Sequence, residues 1–283
     1  MLAPFLKEES KMSYWYNNLS NEDIDKIIKI AWDMIGKYDE KNDHSDGRAQ
    51  KLYFLKSPSL NGIFDSWNEC NKVINKLKES EIPTLYWSER FDRIGKVRLD
   101  DLLNVTSSLT LAEVLIDGCE RLKKEFLCFE DINMDDHKNF IFVDGSFNSK
   151  TKEYGYGGFL SYIEPDGTRS EITFSGKGND KELIKLRNIA GELTGVYEGI
   201  KLAVSKGIKN LTIFYDYIGI YAWVYDIWEA KAEYTFMYRE DITEMILLDE
   251  INIRFVKCKS HTGIDGNEIA DKLAKEAVGI KTE

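Results

Sequence analysis

Phe140-Ile141-Phe142-Val143-Asp144-Gly145-Ser146-Phe147 is the stretch on which the reading of this chain turns. Its apolar run has the length of a strand, is rich in β-branched and aromatic side chains, and contains no proline, so it reads as a strand buried on both faces. Asp144 interrupts it. A carboxylate among buried apolar side chains is costly unless a cation compensates it, and a bound metal ion would do so. The other reading is that Asp144 opens an Asp-Gly-Ser turn. Acids further along the chain decide between them.

Working outward, Tyr154–Ile163 and Glu171–Phe174, separated by the turn Pro165-Asp166-Gly167, continue the first strand into an antiparallel meander. A helix is expected from Asn188 to Ser205, with Ile189, Leu193, Val196, Ile200 and Ala203 on one face. Leu211-Thr212-Ile213-Phe214-Tyr215 is a buried strand ending in Asp216; helices fill 217–249, and Ile251–Val256 is the last strand. A loop through His261 leads into a helix carrying Asp271. The class is α/β, a mixed five-stranded sheet flanked by helices.

Asp216 lies at the carboxyl end of an apolar strand, where open α/β sheets place their ligands. If the strands ending in Asp144 and Asp216 are parallel neighbours, the two acids emerge side by side. The helix from Asn188 can lay Glu192 over the same point, and the last helix can bring in Asp271. Four acids meeting in one cleft repel one another unless divalent cations bind them. All-oxygen ligation favours Mg²⁺ or Mn²⁺ over zinc. Taken singly, Asp216 also reads as a helix cap, Glu192 as a solvated helix residue and Asp271 as a partner of the helix dipole.

Taken jointly, Val143-Asp144-Gly145-Ser146, Arg187-Asn188-Ile189-Ala190-Gly191-Glu192-Leu193, Tyr215-Asp216-Tyr217, Val256-Lys257-Cys258-Lys259-Ser260-His261-Thr262-Gly263 and Gly266-Asn267-Glu268-Ile269-Ala270-Asp271 resemble the catalytic domain of type 1 ribonuclease H. The resemblance implies a ribonuclease H-like fold over 139–283 and two-metal hydrolysis of the RNA strand of RNA/DNA hybrids, leaving 5′-phosphate and 3′-hydroxyl ends. It implies Asp144, Glu192, Asp216 and Asp271 as ligands of two Mg²⁺ ions, with Mn²⁺ possible in their place. His261 matches the family's mobile histidine, which assists proton movement or product departure. Gly145, Ser146 and Asn188 would read 2′-hydroxyls in the minor groove, although Asn188 reads equally as a helix cap. The chain departs from many members at Ala222–Ala230, which is aromatic and weakly acidic where they carry a basic helix and loop, and Trp223 and Trp228 read as core residues.

Upstream, Ser20-Asn21-Glu22-Asp23 is a capping pattern before a helix that puts Ile24, Ile27, Ile28, Ala31 and Ile35 on one face. Residues 39–47 read as a linker, closing an N-terminal helical extension over 1–47. In the next segment Leu52–Leu55 and Ile63-Phe64 read as strands around a turn, and Ser66-Trp67-Asn68-Glu69 as a capping box opening a helix. Tyr53, Gly62-Ile63-Phe64 and Ser66-Trp67-Asn68-Glu69-Cys70 resemble the viroplasmin-like, hybrid-binding module found ahead of some type 1 ribonucleases H. That implies a small α+β module over 48–90 in which Tyr53 and Trp67 contact the duplex. Ile82-Pro83-Thr84-Leu85 stands where the family carries a basic pair, and Trp67 reads as readily as a core aromatic. Residues 91–138 form a helical connector, with a helix from Thr110 to Leu127 and an acidic run, Glu130–Asp136, read with His137 as a solvated linker.

Composition sets the outer bounds. A chain of 283 residues with 43% hydrophobic content can bury a sizeable core. No apolar segment reaches the ~20 residues that span a bilayer, and the N-terminus lacks a signal-peptide pattern, so a cytoplasmic protein with no membrane partner, monomeric by default, is expected. Cys70, Cys119, Cys128 and Cys258 form no Cys-x-x-Cys pair and suit reduced, buried thiols. The net charge of −11 argues against a broad grip on nucleic acid through the whole surface, though not against a local site.

Overall fold

The computed structural model describes residues 15–16, 19–38, 49–92, 111–249, 251–259 and 264–281. Most of the expected connector before Leu111 and all of 260–263, His261 included, lie outside the described residues. The chain divides into two compact units, Met1–Glu125 and Phe126–Glu283.

The N-terminal unit contains β1 (Trp15–Tyr16), α1 (Asn21–Tyr38), β2 (Ala49–Lys56), β3 (Asn61–Phe64), α2 (Trp67–Glu79), β4 (Leu85–Asp92) and α3 (Leu111–Leu122). Its strands form an antiparallel sheet in the order β1-β3-β2-β4. Ser20 and Asp23 close a reciprocal cap on α1: the Asp23 N–H donates to Ser20 Oγ and the Ser20 N–H to Asp23 Oδ2, each at 3.1 Å. Ser66 does sit at the N-cap of α2, but its side chain makes no cap bond, and Glu69 is held instead by Lys72 at 2.6 Å. The expected capping box therefore does not close, although Ser66 occupies its N-cap position. Leu55, Phe64, Cys70, Ile74 and Leu77 make the core under α2.

The C-terminal unit contains β5 (Leu127–Cys128), β6 (Phe140–Asn148), β7 (Glu153–Ile163), β8 (Arg169–Gly178), α4 (Asn188–Ser205), β9 (Asn210–Tyr215), α5 (Gly219–Val224), α6 (Glu233–Leu248), β10 (Asn252–Lys257) and α7 (Asp265–Ala277). Its sheet has six strands, in the order β5-β10-β9-β6-β7-β8. Strands β5, β10, β9 and β6 run parallel, while β7 and β8 extend β6 as the antiparallel meander. The expected five strands are all present. The sixth, β5, comes from the segment read as connector: α3 stops at Leu122, and Leu127-Cys128 then pair with Val256-Lys257. Two residues are too few to show any periodicity, which is why only the partner reveals them.

The core of this sheet is aromatic. Phe142 and Phe214, paired across β6 and β9, stack at 4.5 Å and pack with Val256, Cys258 and Ala270. His137 belongs to the same region and not to a solvated linker: it is buried, and its Nδ1 is hydrogen-bonded to Thr212 Oγ1 at 2.7 Å. Asp135 and Asp136 lie exposed on the short turn before it and, among the described residues, join no cluster of ligating side chains.

Candidate active site

The register of β6 on β9 places the first two acids. Phe140 pairs with Thr212, Ile141 with Ile213 and Phe142 with Phe214. Two residues further along, both strands reach their acids, Asp144 and Asp216. Parallel neighbours project residues of equal register to the same side, so the carboxylates emerge together at the carboxyl ends of the strands.

Glu192 comes from α4, and two glycines set how closely that helix approaches the sheet. A Cβ on Gly145 would lie 2.2 Å from Asn188 O and 2.4 Å from Glu192 N, and one on Gly191 would lie 2.0 Å from Gly155 O. Only residues without side chains permit backbone against backbone at this distance. The first turn of α4 thus lies directly on the residue after Asp144.

The result is a cluster in which Asp144, Glu192 and Asp216 each offer a carboxylate oxygen within 4.8 Å of the others. Asp144 and Glu192 are buried. Burial raises the Asp144 carboxyl to about 7, Asp216 and Asp271 push it the same way, and the Gly145 N–H, donating to Oδ1 at 2.6 Å, and Lys275 pull it down. Glu192 is held well above the usual carboxylate range, first by burial and then by the charges of Asp216 and Asp144. Its Oε1 receives a 3.5 Å contact from Asn188 Nδ2, while Oε2 is buried with no hydrogen-bond partner. An orphaned carboxylate oxygen facing two more acids is an arrangement a fold does not keep for stability, since each feature costs free energy. A hard divalent cation removes both costs, because it accepts carboxylate oxygens and cancels their repulsion. The residues present therefore fit such an ion.

The remaining expected residues are not all brought into the cluster. Asp271, on the second turn of α7, is not part of the three-acid cluster; its carboxylate is turned to Lys275, 2.6 Å away, while its charge still reaches Asp144. Asn188 is exposed at the first position of α4, with Arg187 at the N-cap, so its side chain faces Glu192 and does not cap the helix. Gly145 has its N–H engaged by Asp144, and Ser146 is buried. Trp223 is buried as expected, within an aromatic group with Tyr217 and Trp228.

Lys257 is the residue near the cluster that the motif reading passed over. It is the last residue of β10, registers with Tyr215 immediately before Asp216, and interacts electrostatically with Asp216 and Glu192. A lysine closing the strand beside one that ends in an acid was the available signal. In the N-terminal unit Trp67 is 40% exposed and packs against Tyr53 and Tyr86 at 5.6 and 5.7 Å, which rules out its reading as a core aromatic.

Against this geometry, the family model described as RNase H matches residues 136–279. The chain belongs to the RNase H family. Its three clustered acids, from β6, α4 and β9, all lie inside the matched residues, and membership makes the chain a ribonuclease H. No curated protein sequence matches it. Among solved structures it is similar to RNase H1 from the halophilic archaeon Halobacterium salinarum, at 16% identity over 50% of this chain and 96% of that one, with a TM-score of 0.38. It is also similar to the N-terminal RNase H domain of a Mycobacterium tuberculosis protein, at 17% identity over 49% and 93%, TM-score 0.34. A third is LC11-RNase H1, solved with an RNA/DNA hybrid, at 14% identity over 50% and 99%, TM-score 0.40. The family match starts at residue 136 and does not reach the N-terminal unit.

Proposed function

We propose that this RNase H cuts the RNA strand of RNA/DNA hybrids as a metal-dependent endonuclease, leaving 5′-phosphate and 3′-hydroxyl ends. The observation that carries the reading is the meeting of Asp144, Glu192 and Asp216 within 4.8 Å, around a buried carboxylate oxygen with no partner. These three would hold a pair of Mg²⁺ ions, or Mn²⁺ in their place, with Asp271 joining them after leaving Lys275. Bound there, the ions supply activation of an attacking water and neutralise charge developing at the scissile phosphate.

The chain's own residues prepare that site. The Gly145 N–H fixes Asp144 Oδ1, Asn188 steadies Glu192 Oε1, and the close seating of α4 keeps both acids facing Asp216. Their carboxylates are fixed before substrate arrives, so little reorganisation is left for the reaction itself. His261 would move a proton or help the product leave, as the family resemblance implies. Asn188, exposed beside Glu192, would meet the 2′-hydroxyls that distinguish RNA from DNA, and Gly145 and Ser146 would join it, as the family resemblance implies, only once substrate opens access to them.

In the N-terminal unit, exposed Trp67 with Tyr53 beside it offers an aromatic face on which a sugar of the hybrid would stack. The four cysteines are free and buried, which suits a reducing cytoplasm, and among the described residues no helix is long and apolar enough to cross a membrane. We take the working form to be a monomer.

One gel assay tests the reading. Labelled RNA/DNA hybrid, double-stranded RNA and single strands are offered to the full chain with Mg²⁺ or with EDTA, beside an Asp144→Asn variant. The expected outcome is cleavage of the hybrid's RNA strand with Mg²⁺ alone and its loss in the variant. Cleavage that survives EDTA or the substitution, or that prefers another nucleic acid, refutes it.

A further inference from the structure

Lys257 stands in an unusual place for a cation. It closes β10, with β9 on one side, where its registered partner is Tyr215, and β5 on the other, where its partner is Cys128. Only two pairs join β5 to β10, and one of them is this lysine. The extra edge strand therefore gives half-buried Lys257 a paired neighbour on each side. Cys128 and Cys258 around it are buried, and burial holds both thiols up at about 12, so they stay neutral. The ammonium donates to the Cys258 carbonyl, and the ionised side chains acting on it are those of Asp216 and Glu192. A lysine in an apolar pocket normally loses much of its hydration without return. Burial holds the Lys257 ammonium below the usual lysine range, and the charges of Asp216 and Glu192 offset part of that cost.

We infer that Lys257 is a resident counter-charge of the acid cluster: a fixed cation beside Asp216 and Glu192 that weakens the binding of each incoming divalent cation. The inference rests on the metal-site reading above and adds a sign to it. A fixed positive charge beside a ligand set opposes a second cation entering that set, so removing it strengthens metal binding, whereas removing a residue needed only for packing weakens it.

The test is calorimetric titration of the full chain with Mn²⁺ and with Mg²⁺, in wild type, Lys257→Met and Lys257→Arg, with circular dichroism as the check on folding. The expected result is Mn²⁺ binding on the order of tenfold tighter in Lys257→Met, the equivalent of one pKa unit of lost repulsion. Lys257→Arg, which keeps the charge, should stay within about threefold of wild type. Should Lys257→Met not melt cooperatively, Lys257→Gln takes its place under the same criterion. Unchanged or weaker Mn²⁺ affinity in a folded, uncharged variant overturns the inference and leaves the metal site standing. A wild-type chain that binds neither ion overturns the metal site first, and the inference with it.

Discussion

Each unit of this chain buries a charge, and the two are settled differently. In the N-terminal unit the Lys56 side chain, 3% exposed, donates to the carbonyl of Leu122, the last residue of α3. The carboxyl end of a helix is the negative end of its dipole, so the fold itself gives this cation a fixed partner. In the C-terminal unit Glu192 is equally buried at 3%, yet one of its oxygens has no partner and its neighbours are two more acids. The first arrangement is closed. The second is complete only when something positive enters. A buried charge already satisfied by the protein marks architecture, and one left open marks a site.

The strongest way to break that distinction is Glu192→Gln. Hybrid cleavage should fall by at least about 10³-fold, the scale on which loss of one preorganised electrostatic group acts, while the metal-free chain melts at a higher temperature because a buried repulsive charge is gone. Cleavage rates, and thermal melts in EDTA, give the two signs. A variant that loses activity and also stability would show that Glu192 is as structural as Lys56.

Next comes Gly145→Ala. The added methyl meets the backbone of Asn188 and Glu192 at 2.2 and 2.4 Å, and neither atom is the far end of a flexible side chain. The first turn of α4 must lift. A loss of about 3 kcal/mol in a denaturant melt is expected, together with a fall in activity larger than the unfolded fraction explains, since Glu192 moves with the helix. A stability loss with activity unchanged per folded molecule would separate the seating of α4 from the placing of its acid.

Titration sharpens the comparison, because the two charges should tilt stability in opposite directions. The folded-state value of Asp144 is raised from 3.8 to about 7. Between those limits the folded metal-free chain holds more protons than the unfolded one, so stability falls as pH rises through that window. Lys56 is lowered from 10.5 to about 8, chiefly by burial. Here the unfolded chain holds more protons, so stability rises from pH 8 to 10.5. The slopes integrate to about 4 kcal/mol for Asp144 and about 3 kcal/mol for Lys56, and amide exchange in EDTA would read the two units separately. Asp144→Asn should flatten only the acid slope and Lys56→Met only the alkaline one. Mg²⁺ should flatten the first and leave the second. Equal sensitivity of both to Mg²⁺ would end the contrast between open and closed.

How much of this was legible beforehand depended on whether a residue's role was local. Strands β6 and β9 announced themselves because each is an apolar run ended by an acid, and that alone predicts adjacent carboxylates once the strands are parallel. Glu192 was legible from helical periodicity. Strand β5 was hidden because two residues carry no pattern, and with it went the sixth strand and the burial of Lys257. His137 looked like linker because its partner, Thr212, lies 75 positions away. Asp271 matched a motif, but no motif says which of its neighbours a carboxylate faces, and here it faces Lys275 on the next turn. Trp67 had two readings until its exposure was known. In each case the hidden fact was a pairing between distant segments, which local chemistry constrains only weakly.

The smallest expected effect concerns the surface of the closed unit. Trp67 is 40% exposed between Tyr53 and Tyr86, so much of its ring faces outward and is not spent on the core. If it serves binding, Trp67→Ala should weaken capture of an RNA/DNA hybrid by about 1 kcal/mol, the lower end of what one stacking contact provides. Because the chain carries a net charge of −11, stacking has few lysine–phosphate contacts to support it, and the loss should vary little between low and moderate salt. The reaction itself should not change: KM for hybrid rises roughly fivefold while kcat holds. Fluorescence anisotropy with a catalytically silent Asp144→Asn background measures the binding, and steady-state cleavage measures the split. A fall in kcat with KM unchanged would mean that the N-terminal unit acts on the chemistry, and that its surface is no more settled than the acid cluster it was contrasted with.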